Sequence, residues 1–135
     1  MRLTRRYRFS ASHRLDTPAL TAEENRRLYG KCNNAYGHGH DYLLDVSVAG
    51  NPGASGQLVD RRELDALVSA RVLDRLDHKS LNADVPELAG IVPTTENLAF
   101  AIQRLLQQGW TLPARLEGVC ISETARNIFE LKADK

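Results

Sequence analysis

The chain of 135 residues is poor in cysteine, with two, and holds one methionine and one tryptophan. Cys32 and Cys120 cannot form a disulfide framework, so a stapled secreted scaffold is excluded and a reduced, cytoplasmic setting is expected. Charge of one sign is also missing: 18 Lys and Arg stand against 17 Asp and Glu, a formal net charge of +1. That balance gives no electrostatic case for nucleic-acid or membrane-surface partners. No apolar run approaches the roughly 20 residues that span a bilayer. The opening Met1-Arg2-Leu3-Thr4-Arg5-Arg6 has no apolar stretch behind it, so no signal peptide is expected. No glycine-rich dinucleotide fingerprint, internal repeat or low-complexity linker occurs. What remains is 42% hydrophobic, enough for an ordinary core in one domain over residues 1–135.

Histidine is scarce too, at four residues, and three of them fall in two short segments. His38-Gly39-His40 puts both imidazoles on one strand face, because side chains alternate with period two. Phe9-Ser10-Ala11-Ser12-His13 brings a third to an adjacent strand. Three neutral nitrogen ligands leave zinc's fourth position open, as in catalytic sites. Imidazole also suits copper, nickel and iron. Cys32, six residues before His38, offers a base or nucleophile, and a neighbouring cation or metal would raise its thiolate fraction. The densest positive patch, Arg2, Arg5, Arg6 and Arg8, lies in an alternating segment and reads as a solvated strand face.

Residues 3–13 alternate, with Tyr7, Phe9, Ala11 and His13 on one face. Residues 16–37 form an excursion with a short helix around Glu23 to Leu28 and a Gly/Asn-rich loop carrying Cys32. Residues 38–49 make a second strand, its two histidines ending an apolar stripe through Tyr42, Leu44, Val46 and Val48. Gln57 to Asp60 reads as a short strand end. Leu64, Leu67, Val68, Val72 and Leu76 recur at helical spacing. A second helix opens at Pro93-Thr94-Thr95-Glu96 and ends at Gly109. Residues 114–122 and 126–132 are two further strands joined as a hairpin. The order β-β-α-α-β-β predicts an α+β fold: a four-stranded antiparallel sheet with two helices on one face. Its open edges invite pairing with another chain.

Further candidates sit in loops and at element ends. Asp77 can fix the tautomer of the adjacent His78, and the pair can polarise a thiol or hydroxyl. Glu123 ends a strand, where a carboxylate can pair with a guanidine-like edge such as a 2-aminopyrimidinone. Thr94, Thr95 and Glu96 stand at a helix N-terminus. Asp41 and Glu123 are the candidate acceptors behind the histidines, though Asp41 points to the other strand face. Cys120, in Val119-Cys120-Ile121, reads as a small core hydrophobe.

Phe9-Ser-Ala-Ser-His13-Arg14-Leu15, Glu24-Asn25, Gly30-Lys-Cys-Asn-Asn34, Gly37-His-Gly-His40 with Tyr42, Leu76-Asp-His-Lys79 with Leu81, Asp84-Val85-Pro86, Thr94-Thr-Glu-Asn97 and Glu123-Thr124 together resemble the 6-pyruvoyl-tetrahydropterin synthase family over nearly the whole chain. The related 6-carboxy-tetrahydropterin synthases often carry their cysteine closer to the His-Gly-His pair. The resemblance implies the tunnelling fold (T-fold), with trimers closing a barrel and two trimers stacking into a homohexamer with interface active sites. It implies zinc on His13, His38 and His40, and Cys32 as general base. Asp77 and His78 would relay protons from a neighbouring subunit. Glu123, Thr94, Thr95 and Glu96 would hold the pterin. The implied substrate is 7,8-dihydroneopterin triphosphate, which loses triphosphate while its side chain is converted internally to two ketones. The carboxy reaction, releasing acetaldehyde, is the alternative; a pterin- or metal-binding module without catalysis is a lower one. Asp41, Arg61 and Ala35-Tyr36 depart from the family pattern without touching a proposed ligand.

Overall fold

The computed structural model describes residues 1–133. Strands β1 (Arg2–His13) and β2 (His38–Ala49) pair antiparallel along their whole length. Their alternation is the expected one: Phe9, Ala11 and His13 on β1 and Tyr42, Leu44, Val46 and Val48 on β2 are buried. Helix α1 (Ala22–Tyr29) lies between them in sequence. It opens with a reciprocal capping box, Thr21 Oγ1 accepting from the Glu24 N–H and Glu24 Oε1 from the Thr21 N–H.

Helix α2 (Arg61–Val68) continues through a π-helical turn, Ser69–Leu73, into α3 (Asp74–Leu76). Leu64, Val68, Val72 and Leu76 are all buried. A strict four-residue spacing drifts by about 40° per step around an ideal α-helix. The wider π turn takes up part of that drift and keeps all four side chains against the sheet. Helix α4 (Thr95–Gln108) is capped by Thr94, whose Oγ1 accepts from the Asn97 N–H at 3.2 Å, and ends at Gly109. Gln57 to Asp60 is not a strand; Asp60 instead caps α2, accepting from the N–H groups of Arg62 and Glu63.

The sheet departs from the four antiparallel strands expected. With β4 (Arg115–Ser122) and β5 (Ile128–Lys132) it has five, in the order β3-β1-β2-β4-β5. The extra strand β3 (Lys79–Ser80) runs parallel to β1, with Ala11 opposite Lys79. Two residues carry no alternation to read in a sequence. The pairing is made by long-range backbone bonds, His78 N–H to Ser10 O at 2.6 Å and Leu81 N–H to Ser12 O at 2.8 Å. Helix α1 is not part of the helical layer; it packs on the turn Gly30–Asn33 that follows it.

The core lies between the sheet face of Phe9, Tyr42, Leu44, Val46, Val119 and Ile121 and the buried stripes of α2, α3 and α4. Cys120 is not part of it. It lies half-buried on the other sheet face, opposite Asp45 and near Arg6 and Glu130. The arginine cluster also divides. Arg6 pairs with Asp45 on that open face, while Arg5 makes a bidentate pair with Asp65 of α2 at 2.7 and 2.8 Å. Tyr7 donates to the same Asp65 carboxylate at 2.7 Å.

Candidate metal centre and active site

The register of the first hairpin assembles the site. His13 stands directly across from His38, and Ala11 across from His40. His13 and His40 are therefore diagonal neighbours on the buried face, close enough for side chains to meet. Their rings pack edge to face with centroids 4.8 Å apart, and His38 packs against His40 in the same way at 4.8 Å.

One ligand atom from each of His13, Cys32, His40 and Glu123 lies within 4.8 Å of the others. Cys32 Sγ is 3.6 Å from His40 Nε2. Glu123 Oε1 is 3.5 Å from His40 Nε2 and 3.8 Å from His13 Nε2. His13 is buried, and its Nδ1 lies 2.9 Å from the Pro93 carbonyl oxygen. A carbonyl only accepts, so Nδ1 carries the hydrogen and the Nε2 lone pair faces the cluster. That Nε2 is buried with no hydrogen-bond partner among the described residues. A buried lone pair aimed at another imidazole, a thiol and a carboxylate is costly without a cation. Burial holds both His13 and His40 below the usual imidazole pKa. They are thus neutral, the form that binds metal. The donor set fits a divalent ion of the zinc type.

Burial and, after it, the Glu123 carboxylate push the Cys32 thiol up. The adjacent Lys31 does not offset this. A cation among these groups would reverse the direction, because it favours the thiolate. Burial also pushes the Tyr42 phenol well above its ordinary range, and its oxygen lies 3.4 Å from His13 Nδ1.

The other anticipated residues are placed as follows. Asp77 lies beside β1: its Oδ1 accepts from the Ser10 N–H at 2.9 Å and sits 3.1 Å from His78 Nδ1. The Ser10 N–H is the main cause that lowers the Asp77 carboxyl pKa. His78 is exposed and has a positive φ of 60°. Within one chain this pair makes no hydrogen bond to Cys32 among the described residues. Thr94 is spent on the helix cap, Glu96 is exposed, and Thr95 is buried with its Oγ1 unpartnered. Asp41 turns away from the histidines, as expected, and accepts from Ser10 Oγ. Glu123, anticipated as an acceptor or pterin anchor, is one of the four clustered donors. His38 is outside that closest group, although its ring adjoins it. The Pro93 carbonyl was not anticipated; a backbone oxygen 80 residues away leaves no mark on sequence spacing.

Fold and site together define a small α+β protein in which a hairpin of histidines, one cysteine and one carboxylate groups four donors that could hold a metal ion. The 6-pyruvoyl tetrahydropterin synthase family model matches residues 2–134. The chain belongs to that family. It is 43% identical to the 6-pyruvoyl tetrahydrobiopterin synthase of Poecilia reticulata over 98% of this chain and 90% of that protein. The structure of Caenorhabditis elegans 6-pyruvoyl tetrahydropterin synthase superposes with a TM-score of 0.91 at 37% identity, covering 99% of this chain and 96% of that one. Similarity extends to the 6-carboxy-5,6,7,8-tetrahydropterin synthase of Haemophilus influenzae, at 31% identity over 78% of this chain and 71% of that protein.

Proposed function

We propose that this protein is a zinc-dependent 6-pyruvoyl-tetrahydropterin synthase that converts 7,8-dihydroneopterin triphosphate to 6-pyruvoyl-tetrahydropterin and triphosphate. The observation that carries the reading is the unpartnered, buried Nε2 of His13 aimed at His40, Cys32 and Glu123. His13, His38 and His40 would hold the zinc. When bound, zinc supplies Lewis-acid polarisation of the substrate's side-chain hydroxyls.

The chain's own groups do the rest. The Pro93 carbonyl holds His13 in the tautomer that offers Nε2. Cys32, next to His40, removes a proton from the substrate side chain as thiolate, and triphosphate leaves by elimination. Asp77 and His78, supplied by a neighbouring subunit, exchange protons with that thiol. Glu123 accepts from the 2-amino and ring N–H edge of the pterin, with Thr94, Thr95 and Glu96 beside it. Thr95 brings a buried hydroxyl that no group among the described residues satisfies. The side chain's oxidation is balanced by reduction of the pterin ring, so no external redox cofactor enters. A homohexamer would bring Asp77 and His78 to the thiol and cover the sheet edges. Among the described residues no helix is long and apolar enough to cross a membrane.

The test is incubation of purified protein with 7,8-dihydroneopterin triphosphate, with and without chelator, read by mass spectrometry. A chelator-sensitive 6-pyruvoyl product with free triphosphate is expected. A 6-carboxy product with acetaldehyde would replace this reading by the carboxy one. No turnover with zinc fully loaded would leave a binding role.

A further inference from the structure

After His13 the chain leaves the sheet through Arg14-Leu15-Asp16 and runs beside the loop that carries Cys32. The Leu15 N–H donates to the Cys32 carbonyl at 2.7 Å. Asn33 donates one amide hydrogen to the Leu15 carbonyl at 2.7 Å and the other to Asp16 Oδ1 at 3.0 Å. Arg14 Nε donates back to the Asn33 carbonyl at 3.3 Å. Asn33 is only 8% exposed, so both its donors are committed away from water, where losing them is expensive. On the other side, Asn82 brackets Arg14, accepting from its N–H at 2.7 Å and donating to its carbonyl at 2.9 Å. The strap from His13 is therefore held from both sides, and Asn33 is its side-chain link to the thiol.

We propose that Asn33 is a positioning residue: it locks the Cys32 loop to the strap leaving His13 and so fixes where the thiol stands relative to the histidines. The inference rests on the reading of Cys32 as the proton-transferring thiol. The side-chain hydrogen bonds of Asn33 run to Leu15 and Asp16, and to none of the clustered donors. Its effect passes through the Cys32 backbone, and a misplacement of about 1 Å can lower a rate on the order of 100-fold. The chemistry demands an amide rather than any residue of this shape. A carboxylate here would face the Leu15 carbonyl and the Asp16 carboxylate with acceptors only.

The experiment uses the full-length zinc-loaded protein and the isosteric variant Asn33→Asp, alone and combined with Asp16→Asn. Steady-state kinetics and the iodoacetamide alkylation rate of Cys32 are measured, with Cys120 as the internal reference by peptide mass mapping. Asn33→Asp is expected to lower kcat on the order of 10–100-fold, with KM within about twofold and zinc content unchanged, and to speed Cys32 alkylation several-fold. Adding Asp16→Asn restores a donor across the contact and recovers part of kcat. Wild-type kcat and alkylation in Asn33→Asp overturn the proposal, as does a loss that Asp16→Asn leaves untouched. If Asn33→Asp does not fold, Asp16→Ala, which withdraws the outer acceptor of Asn33 together with the 3.6 Å pairing to Arg14, carries the test beside Arg14→Gln, which removes that pairing and leaves Asp16 to the Asn33 amide: a fall in kcat larger in Asp16→Ala than in Arg14→Gln supports the proposal, and equal effects or wild-type kcat overturn it. If the wild type itself fails to turn over the triphosphate, the functional reading falls, and the alkylation rate alone decides for or against Asn33.

Discussion

At the scale of single residues, the site is built from metal-ligating side chains that burial keeps uncharged beside one carboxylate. His13 and His40 are neutral through burial, Cys32 is pushed toward the thiol, and Glu123 adds negative charge between them. A divalent ion on the imidazoles would offset the nearby negative charge and favour the Cys32 thiolate. Cys32→Ala is expected to lower turnover by at least about 100-fold, the scale of a lost general base, while the protein keeps one zinc per chain by metal analysis. His38→Ala is expected to lose zinc under the same chelator challenge that the wild type survives. The opposite pattern, zinc lost from Cys32→Ala and kept by His38→Ala, would assign the metal to His13, Cys32, His40 and Glu123. The facing of His13, His38 and His40 was legible because alternation along a strand dictates it, whereas Cys32 lies in the turn Gly30–Asn33, whose approach to His40 no alternation records. The grouping of Glu123 with them was not legible either, since it depends on how β4 lies against β2 across some 80 positions of chain.

At the scale of elements, two contacts set the frame around the site. The first docks α2 on β1 through Asp65, held by Arg5 and Tyr7. Hydrogen bonds from the Arg5 guanidinium are the main cause that lowers the Asp65 carboxyl pKa. A carboxyl lowered in the folded state stabilises above its unfolded value, about 3.9, and loses that contribution as pH falls through the folded value. Asp65→Asn should therefore cost about 1 kcal/mol or less at pH 7, because the pair is partly exposed. The deficit should shrink as pH falls below the unfolded value and through the lowered folded one, which urea unfolding across acid pH measures. The second contact is Gly37, which has φ +84° and would place a Cβ 3.1 Å from the His13 carbonyl oxygen. Gly37→Ala is expected to cost roughly 1–2 kcal/mol of stability and to weaken zinc retention, seen by thermal unfolding and chelator competition. In the sequence the arginines of β1 read as one solvated patch. In the structure alternation sends Arg5 to the helices and Arg6 to the open face.

At the scale of the whole molecule, the sheet ends in two unsatisfied edges. β3 is two residues long, and β5 carries the exposed Ile128 at the far side. Exposed edges favour pairing with another copy. Light scattering of the purified protein is expected to return the mass of six chains of 15.0 kDa each. A monomer that still turns over substrate would show that Asp77 and His78 act within their own chain or not at all.

The sequence by itself determined the two long strands, the helix at 95–108 and the strand positions of His13, His38 and His40. All of these follow from strict local periodicities of two and 3.6 residues. Tertiary structure alone decided the parallel β3 strand, the Pro93 carbonyl behind His13, the carboxylate of Glu123 beside the imidazoles and the amide clamp of Asn33. Each of these is a hydrogen bond or close approach between residues distant in the chain, and no local pattern records which backbone group will arrive there.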